Sequence, residues 1–501
     1  MRYRKARGPP GTAGNERYPA IDMRAAYRTS DGHWWHTLTD VEVAVVVVQV
    51  VLGIWLRHVL LSVALGVGCA VVGLRRTVAC TAVVAAGLGI LLSNAAWRGV
   101  VPDRLGPFVG LACLISDPAS KEGALVVVFE IDGERFESWA RGSPRRRIEP
   151  HLAGECATLR GTRRALTGVA LRRAAIRHIV GGLTIESVGD WTDGSRFDRA
   201  SNRVRRLFAD GSAELRTPDD ALFAGLVIGD DRNEPDAMID EFRRSGLSHL
   251  TAVSGQNVAY VLAAAAPLLR RLRSWLRWTA TLAVIGWFVA LTRFEPSVLR
   301  AGVMAGIAAT GFVLGREKPP GRVLALAVGV LVLADPFLVW SVGFWLSVFA
   351  TAGVALLSGR LAALVPGPDW LAMPMGVTLA AQVGVAPVSL LVFGSLPLVS
   401  LPANLLAVPV AGAVMLYGLP AGLIAGALHG DGLAGSLATL IQTPSALGTR
   451  WVATVAALAA RLEPPGAVAA IGWLLVVLAI AAVAARRFTV SRRAPVCEGV
   501  G

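Results

Sequence analysis

Long apolar runs, separated by short breaks that often carry arginine, make up most of this chain. They lie at about 41–56, 59–74 and 78–97, then at 247–266, 278–293, 296–314, 322–338, 339–358, 371–394, 397–420, 437–460 and 466–485. Recurrent runs of this kind argue for membrane helices rather than one water-soluble core. The first two are short for a span, and Arg450 interrupts 437–460, so that segment either crosses or lies along the surface.

Residues 100–246 are polar and hold no such run. Within them Ala124–Ile131 and Glu134–Ala140 read as two strands joined across Asp132-Gly133, a type I′ hairpin signal. Glu155–Arg160, after Ala153-Gly154, is a third strand candidate. Several short strands in so short a stretch suggest a small barrel of the OB type. Ser195–Ala209 then reads as an amphipathic helix. Arg196, Arg199, Arg203 and Arg206 share one face, and Phe197, Val204, Leu207 and Phe208 the adjoining one. Such a helix can lie in the headgroup layer with its arginines on lipid phosphate, or present them to DNA; the membrane surface is the commoner use.

The pattern predicts an α-helical polytopic membrane protein of about 10–12 membrane segments, with a small extracytoplasmic β (OB-like) domain inserted after the third segment. Its parts are a disordered basic cytoplasmic tail (1–40), three membrane segments (41–97), the OB-like domain (100–194), amphipathic helices and linker (195–246), a membrane domain (247–485) and a second cytoplasmic tail (486–501).

Charge fixes the orientation. The N-terminal residues Arg2, Arg4, Lys5 and Arg7, the pair Arg75/Arg76, the group Arg270/Arg271/Arg273/Arg277, then Arg316/Lys318/Arg322 and Arg360 all fall on one side when the segments alternate. By the positive-inside rule that side is the cytoplasm, so the N-terminus is cytoplasmic and 100–246 lie outside. Composition agrees: 54% of the 501 residues are hydrophobic and 17% charged, against roughly a quarter charged in soluble proteins. Mean hydropathy is +0.56. Net charge is +14, and Lys5, Lys121 and Lys318 are the only lysines. Arginines in short loops are read first as topology signals. Charge is also segregated outside: residues 135–206 hold sixteen arginines against seven acids, and 207–241 hold ten acids against Arg216 and Arg232. The first stretch would attract a polyanion and the second repel one, or the two pair with each other.

The five cysteines include no CxxC pair, and Cys69 and Cys80 sit in apolar runs. Cys113 and Cys156 fall in the outer region, where one disulfide or two free thiols are both open. None of the seven histidines forms HxH, HExxH or HxHxDH, and no GxxxxGK[ST] loop occurs. No catalytic residue, metal or cofactor is therefore expected, and the chain is not read as an enzyme. Any pumping must come from a partner or a gradient.

Polar groups in lipid are costly and face a partner helix or a wet cavity. His249, Thr251, Ser254, Gln256 and Asn257 cluster around Gly255. Interhelical hydrogen bonding explains one such residue; five within nine positions favour a broken segment lining a pore. Arg300 stands one turn inside a helix begun by Glu295-Pro296, where it can snorkel, pair with Glu295 or face phosphate. Gln382 and Asn404 are further candidates, although Asn404 after Pro402 also suits a helix cap.

Ordered motifs then resemble the ComEC family. Leu226-Val-Ile-Gly-Asp-Asp231 is similar to its LxxGD element, and Gly246-Leu-Ser-His-Leu-Thr-Ala-Val-Ser-Gly255 to its GLxHLxAVSG signature. Pro296-Ser-Val-Leu-Arg-Ala301 matches PSxxRA. Asp335-Pro-Phe with Gly343-Phe-Trp-Leu-Ser347 resembles DP…GFxLS, and Gln382, Pro387 and Pro402-Ala-Asn-Leu-Leu406 resemble QxxxxP…PANLL. The resemblance covers roughly 220–410. It implies a bacterial inner-membrane channel that receives single-stranded DNA during natural transformation, with His249, Ser254, Arg300, Gln382 and Asn404 at matched positions. It also implies an outer DNA receptor and a cytoplasmic helicase or ATPase as partners beside the lipid bilayer, and leaves homo-oligomerisation open. Gln256-Asn257 replaces the Leu-His of many relatives, and their metallo-β-lactamase-like domain is not expected here. Trp278, Trp287, Trp340, Trp345 and Trp370 would suit base stacking, or simply the membrane interface. A small-solute transporter or exporter, or a membrane scaffold, on the same helical core is the alternative.

Overall fold

The computed structural model describes residues 39–56, 76–251, 255–316 and 318–493. Most of the N-terminal tail, the segment at 59–74, Ser254 and residues 494–501 lie outside the described residues.

Two helices, α1 (Asp40–Leu56) and α2 (Arg76–Arg98), precede the sheet domain. Its strands are β1 (Gly106–Leu114), β2 (Ala119–Lys121), β3 (Ala124–Ile131), β4 (Glu134–Ala140), β5 (Cys156–Ala165) and β6 (Ile179–Thr192). Helix α3 (Gly142–Ile148) follows β4, and α4 (Gly168–Ala175) follows β5. Strand β1 pairs antiparallel with both β3 and β5, β3 with β4, and β5 with β6, while β4 and β6 run parallel. The order β1-β5-β6-β4-β3 thus returns to β1, and β2 adds only an edge to β3. The β3–β4 turn has positive φ at both Asp132 and Gly133, as a type I′ turn requires. Leu125, Val127, Phe129 and Ile131 point into a core shared with Phe136, Leu159 and Leu183, and Ile148 of α3 fills the same core. The other face of β3 is also covered, with Val128 under Ala174 and Ile179, so this strand reads as continuously apolar. Cys113 and Cys156 face each other across β1 and β5 and are joined by a disulfide.

The helical part continues with α5 (Arg196–Ser212), α6 (Asp219–Ile228), α7 (Asp236–Arg244), the single turn α8 (Ser248–Thr251) and α9 (Gly255–Leu269). It ends with α10 (Ser274–Leu291), α11 (Pro296–Val313), α12 (Pro320–Ala334), a 3-10 turn (Pro336–Trp340), α13 (Val342–Ala362), α14 (Asp369–Phe393), α15 (Ser400–Leu428), α16 (Leu433–Leu462) and α17 (Gly466–Arg493). Among the described residues, six helices are long and apolar enough to cross a membrane, or up to seven if a bent pair is one span. Of the other expected runs, 59–74 lies outside the described residues and α1 has 17 residues. In the 247–266 run residues 252–254 lie outside the described residues, and α9 has 15 residues. The 322–338 run breaks at Asp335, whose carboxylate accepts the Phe337 amide hydrogen and starts the 3-10 turn. Helices α16 and α17 form a pair bent by 104°.

Small residues let these helices touch. At Gly353 an added Cβ would lie 2.2 Å from the Ala380 carbonyl oxygen, and at Gly384 the same distance from that of Phe349, so α13 and α14 meet backbone to backbone. Helix α5 begins with a capping box in which Ser195 and Asp198 satisfy each other's amides. It does not rest its apolar side on lipid alone. Phe208 is fully buried and stacks on Phe223 at 5.2 Å. At Gly211 a Cβ would lie 2.0 Å from the Gly422 carbonyl oxygen of α15. The apolar face is therefore closed by protein, while Arg196, Arg199, Arg203 and Phe197 remain exposed.

Candidate functional site

Two groups of polar side chains sit where the fold is otherwise apolar. The first joins the sheet domain to the helices. Arg205 of α5 is only 4% exposed and contacts Asp117 at 2.9 Å and Asp230 at 3.1 Å. It also donates to the Leu291 carbonyl oxygen at the end of α10. Arg293 donates to Asp117 and to Asn202, and Asn202 donates to Ala153 and Glu155 of the sheet domain. Arg232 grips Asp230 through two hydrogen bonds of 2.6 Å, and Arg206 pairs with Glu155. Five pieces of chain are thus held by one charged cluster.

Its electrostatics follow from that packing. Burial pushes the Asp117 carboxyl up, but Arg205, Arg293 and Arg232 more than offset this and hold it at about 2. Asp230 is lowered in the same way: burial raises it, and its bonds to Arg232 and the charge of Arg205 prevail. Just beyond, Glu234 has no such partner. Burial first, then the charges of Asp231 and Asp230, push it up to about 8.

The second group lies among the motif residues. Arg300, in the apolar span α11, is 5% exposed. It donates to Thr351 Oγ1 at 2.8 Å and to the Ser347 hydroxyl, both on α13, and approaches Met304 Sδ at 3.4 Å. It pairs neither with Glu295 nor, among the described residues, with any other carboxylate within ion-pair distance. Its buried Nε has no hydrogen-bond partner. Gly255 opens α9 beside it, where an added Cβ would lie 3.6 Å from Arg300 Nη2.

The remaining candidates spread around this group. His249, in α8, is exposed. Gln256 donates to the Tyr260 hydroxyl at 2.6 Å, and buried Asn257 donates to the Leu226 carbonyl oxygen, tying α9 to the LxxGD element. Gln382 donates to Ser400 Oγ at 2.9 Å and leaves its buried Oε1 unpartnered. Asn404 does not cap α15. It is the fifth residue of that helix and donates to the Ser400 carbonyl oxygen, while Glu463 accepts the amide hydrogens of Leu398 and Val399. The structure thus brings Arg300 to Ser347 and Thr351, and Gln382 to Asn404 through Ser400. Arg206 enters the charged cluster, apart from Arg196, Arg199 and Arg203.

Sequence reasoning missed Arg205, Asp117, Arg293 and Glu234. A signal existed for Arg205: Ser201, Asn202, Arg205, Phe208 and Ser212 form a stripe at helical spacing that is polar yet includes a phenylalanine. Among the described residues no cluster of three or more His, Cys, Asp or Glu is arranged to hold a metal.

Comparison with known proteins places this arrangement. The family model described as Competence protein matches residues 226–489, and the chain belongs to that family. It is similar to ComE operon protein 3 of Bacillus subtilis (strain 168), with 27% identity over 251 residues, 50% of this chain and 32% of the relative. It is also similar to the uncharacterized protein YcaI of Escherichia coli (strain K12), with 27% identity over 215 residues, 38% of this chain and 27% of the relative. The match therefore spans about a third or less of these curated relatives. No solved structure matches the chain. With its apolar helices, the family makes this a multi-pass membrane protein of the competence group.

Proposed function

We propose that the chain forms a channel of the bacterial inner membrane, with its N-terminus in the cytoplasm, that admits single-stranded DNA and does no hydrolytic chemistry itself. One observation carries the reading: Arg300, an arginine buried in an apolar span, is held by hydroxyls with an Nε left over and no carboxylate partner. A cation is costly in such a place unless something anionic visits it, and guanidinium suits phosphate oxygens in pairs. In this reading His249, with its accessible surface, and Gln256 continue the polar route.

The sheet domain supports the same reading. A closed five-strand order with one parallel pair is what an OB-like barrel has, and such barrels bind oligonucleotides. In this proposal it stands outside the membrane and receives the strand, delivered by a surface receptor and drawn inward by a helicase or ATPase. The test is uptake of labelled DNA into the cytoplasm by a deletion strain carrying the Arg300→Ala copy. The reading predicts DNA bound outside with cytoplasmic uptake lost. Normal uptake at normal protein level would remove Arg300 from the pathway.

A further inference from the structure

Helix α2 marks where lipid ends. Val84, Leu88, Leu91, Ala95 and Arg98 fall on one exposed face at three- and four-residue spacing, apolar until the last residue. That face suits acyl chains as far as Ala95, and Arg98 suits the headgroups. Beside it Trp97 meets Phe337 and Trp340 edge to face, at 5.2 and 5.7 Å. Those two rings belong to the 3-10 turn before α13, another helix long and apolar enough to cross. Two helix ends thus set one level, and aromatic rings collect there, as they do at a membrane interface.

Helix α4 of the sheet domain lies at that level. Leu171 and Ala175 pack with Trp97, Val100, Phe337 and Trp340, while Ala174 packs on Val128 of the sheet. Val169, Arg172 and Arg173 of the same helix are exposed, Val169 by 64%. The acids at this end are already taken. Glu137 pairs with Arg177, Asp335 meets His178 at 3.1 Å, and Glu134 accepts the Asp103 amide hydrogen. Among the described residues Arg98, Arg172 and Arg173 form no ion pair.

We propose that α4 and Arg98 form a docking surface for anionic phospholipid, with Val169 at the boundary of headgroup and acyl chain and the three guanidiniums on lipid phosphate. The face continues the lipid-facing stripe of α2, so lipid is its neighbour. An aliphatic side chain flanked by arginines is what that boundary accepts, and guanidinium takes phosphate oxygens in pairs. Single-stranded DNA offers phosphate as well, but Val169 and the adjoining apolar stripe match acyl chains. The role that the basic pattern of α5 suggested for the membrane surface thus falls to α4, whose apolar residues reach the membrane level while those of α5 are closed by protein.

The experiment uses the full chain in lipid nanodiscs, and it is independent of what the channel carries. Cys69→Ala, Cys80→Ala and Cys497→Ala remove the other thiols outside the disulfide, and Val169→Cys carries a fluorophore. The probes are phosphatidylcholine and phosphatidylglycerol, each bearing a nitroxide near the headgroup and present at the same mole fraction. Quenching by the phosphatidylglycerol should exceed that by the phosphatidylcholine about fivefold, the effect of one charge near an anionic surface, and iodide in solution should quench little. Arg98→Gln, Arg172→Gln and Arg173→Gln together should bring the two lipids to near equality. The fluorophore should stay within reach of both, because Leu171 and Ala175 still hold α4 in place. A fluorophore open to iodide and quenched by neither lipid would overturn the proposal. So would equal quenching by the two lipids with the arginines present, or a preference that survives the triple replacement. Shielding from iodide that requires a single-stranded oligonucleotide would also overturn it, and would make this a nucleic-acid surface.

Discussion

Two buried arginines answer the same physical problem in opposite ways. Arg205 meets Asp117 and Asp230 at 2.9 and 3.1 Å and a backbone carbonyl besides. Arg300 meets two hydroxyls and a thioether. The first has its charge cancelled within the fold, so its role is to hold pieces together. The second is incompletely answered, which is how a protein keeps a cation available for something that arrives later. Burial alone does not separate them, since they are 4% and 5% exposed; what surrounds the guanidinium does.

The strongest way to break this contrast is to remove the first arginine. Arg205→Met leaves Asp117 to Arg293 and Asp230 to Arg232 and removes the cation that joins them, and breaking a buried ion pair costs about 3–5 kcal/mol. The variant should unfold earlier in denaturant, and limited proteolysis should cut between the sheet domain and α5. If its stability matches wild type, Arg205 does not hold these pieces together.

Acid tests the same cluster more gently. Asp117 is held at about 2, below its ordinary value. Its contribution is present above the unfolded range and is lost as pH falls through about 2, a change on the order of 2 kcal/mol. Tryptophan fluorescence should show this acid step, and Asp117→Asn should abolish it. Next in size, Asn202→Ala removes the side chain that bridges Arg293 to Ala153 and Glu155. That should cost about 1–3 kcal/mol in the same denaturant assay.

Much of the sheet domain was legible because its signals are local. The strands Ala124–Ile131 and Glu134–Ala140 begin and end where alternation and Asp132-Gly133 placed them. Strand β5 runs on to Ala165, past Arg160 where the expected strand ended. A Cβ at Gly161 would lie 2.3 Å from the Thr184 carbonyl oxygen, so the glycine there serves close strand packing. Strands β1 and β6 went unread because their pairing is set by partners distant in sequence. Five of the apolar runs, at 78–97, 278–293, 296–314, 339–358 and 371–394, reappear as single long helices, since apolar length is itself the signal. The run at 397–420 belongs to the longer helix α15, which extends to Leu428.

The candidate site was legible where motifs marked it and silent where geometry made it. Arg300 stood out as a charge in an apolar run. Its acceptors Ser347 and Thr351 lie a helix away, and nothing in their spacing points back to it. Arg293 and Asp117 meet across 176 residues. Arg205 was hidden among more conspicuous arginines, because a basic face looks like the important one until the opposite face proves to be buried.

The smallest expected stability effect belongs to the residue with the largest expected functional one. Replacing a poorly compensated buried cation by a hydrophobe of similar volume is close to neutral, or stabilising. The decisive measurement is therefore binding of a fluorescently labelled single-stranded oligonucleotide to the purified wild type and to Arg300→Met, with unfolding recorded on the same samples. An arginine kept for cargo predicts at least about tenfold weaker binding in the variant, the loss of one charged contact, with stability unchanged or higher. Equal binding with markedly lower stability would make Arg300 a structural residue like Arg205 and would contradict the account.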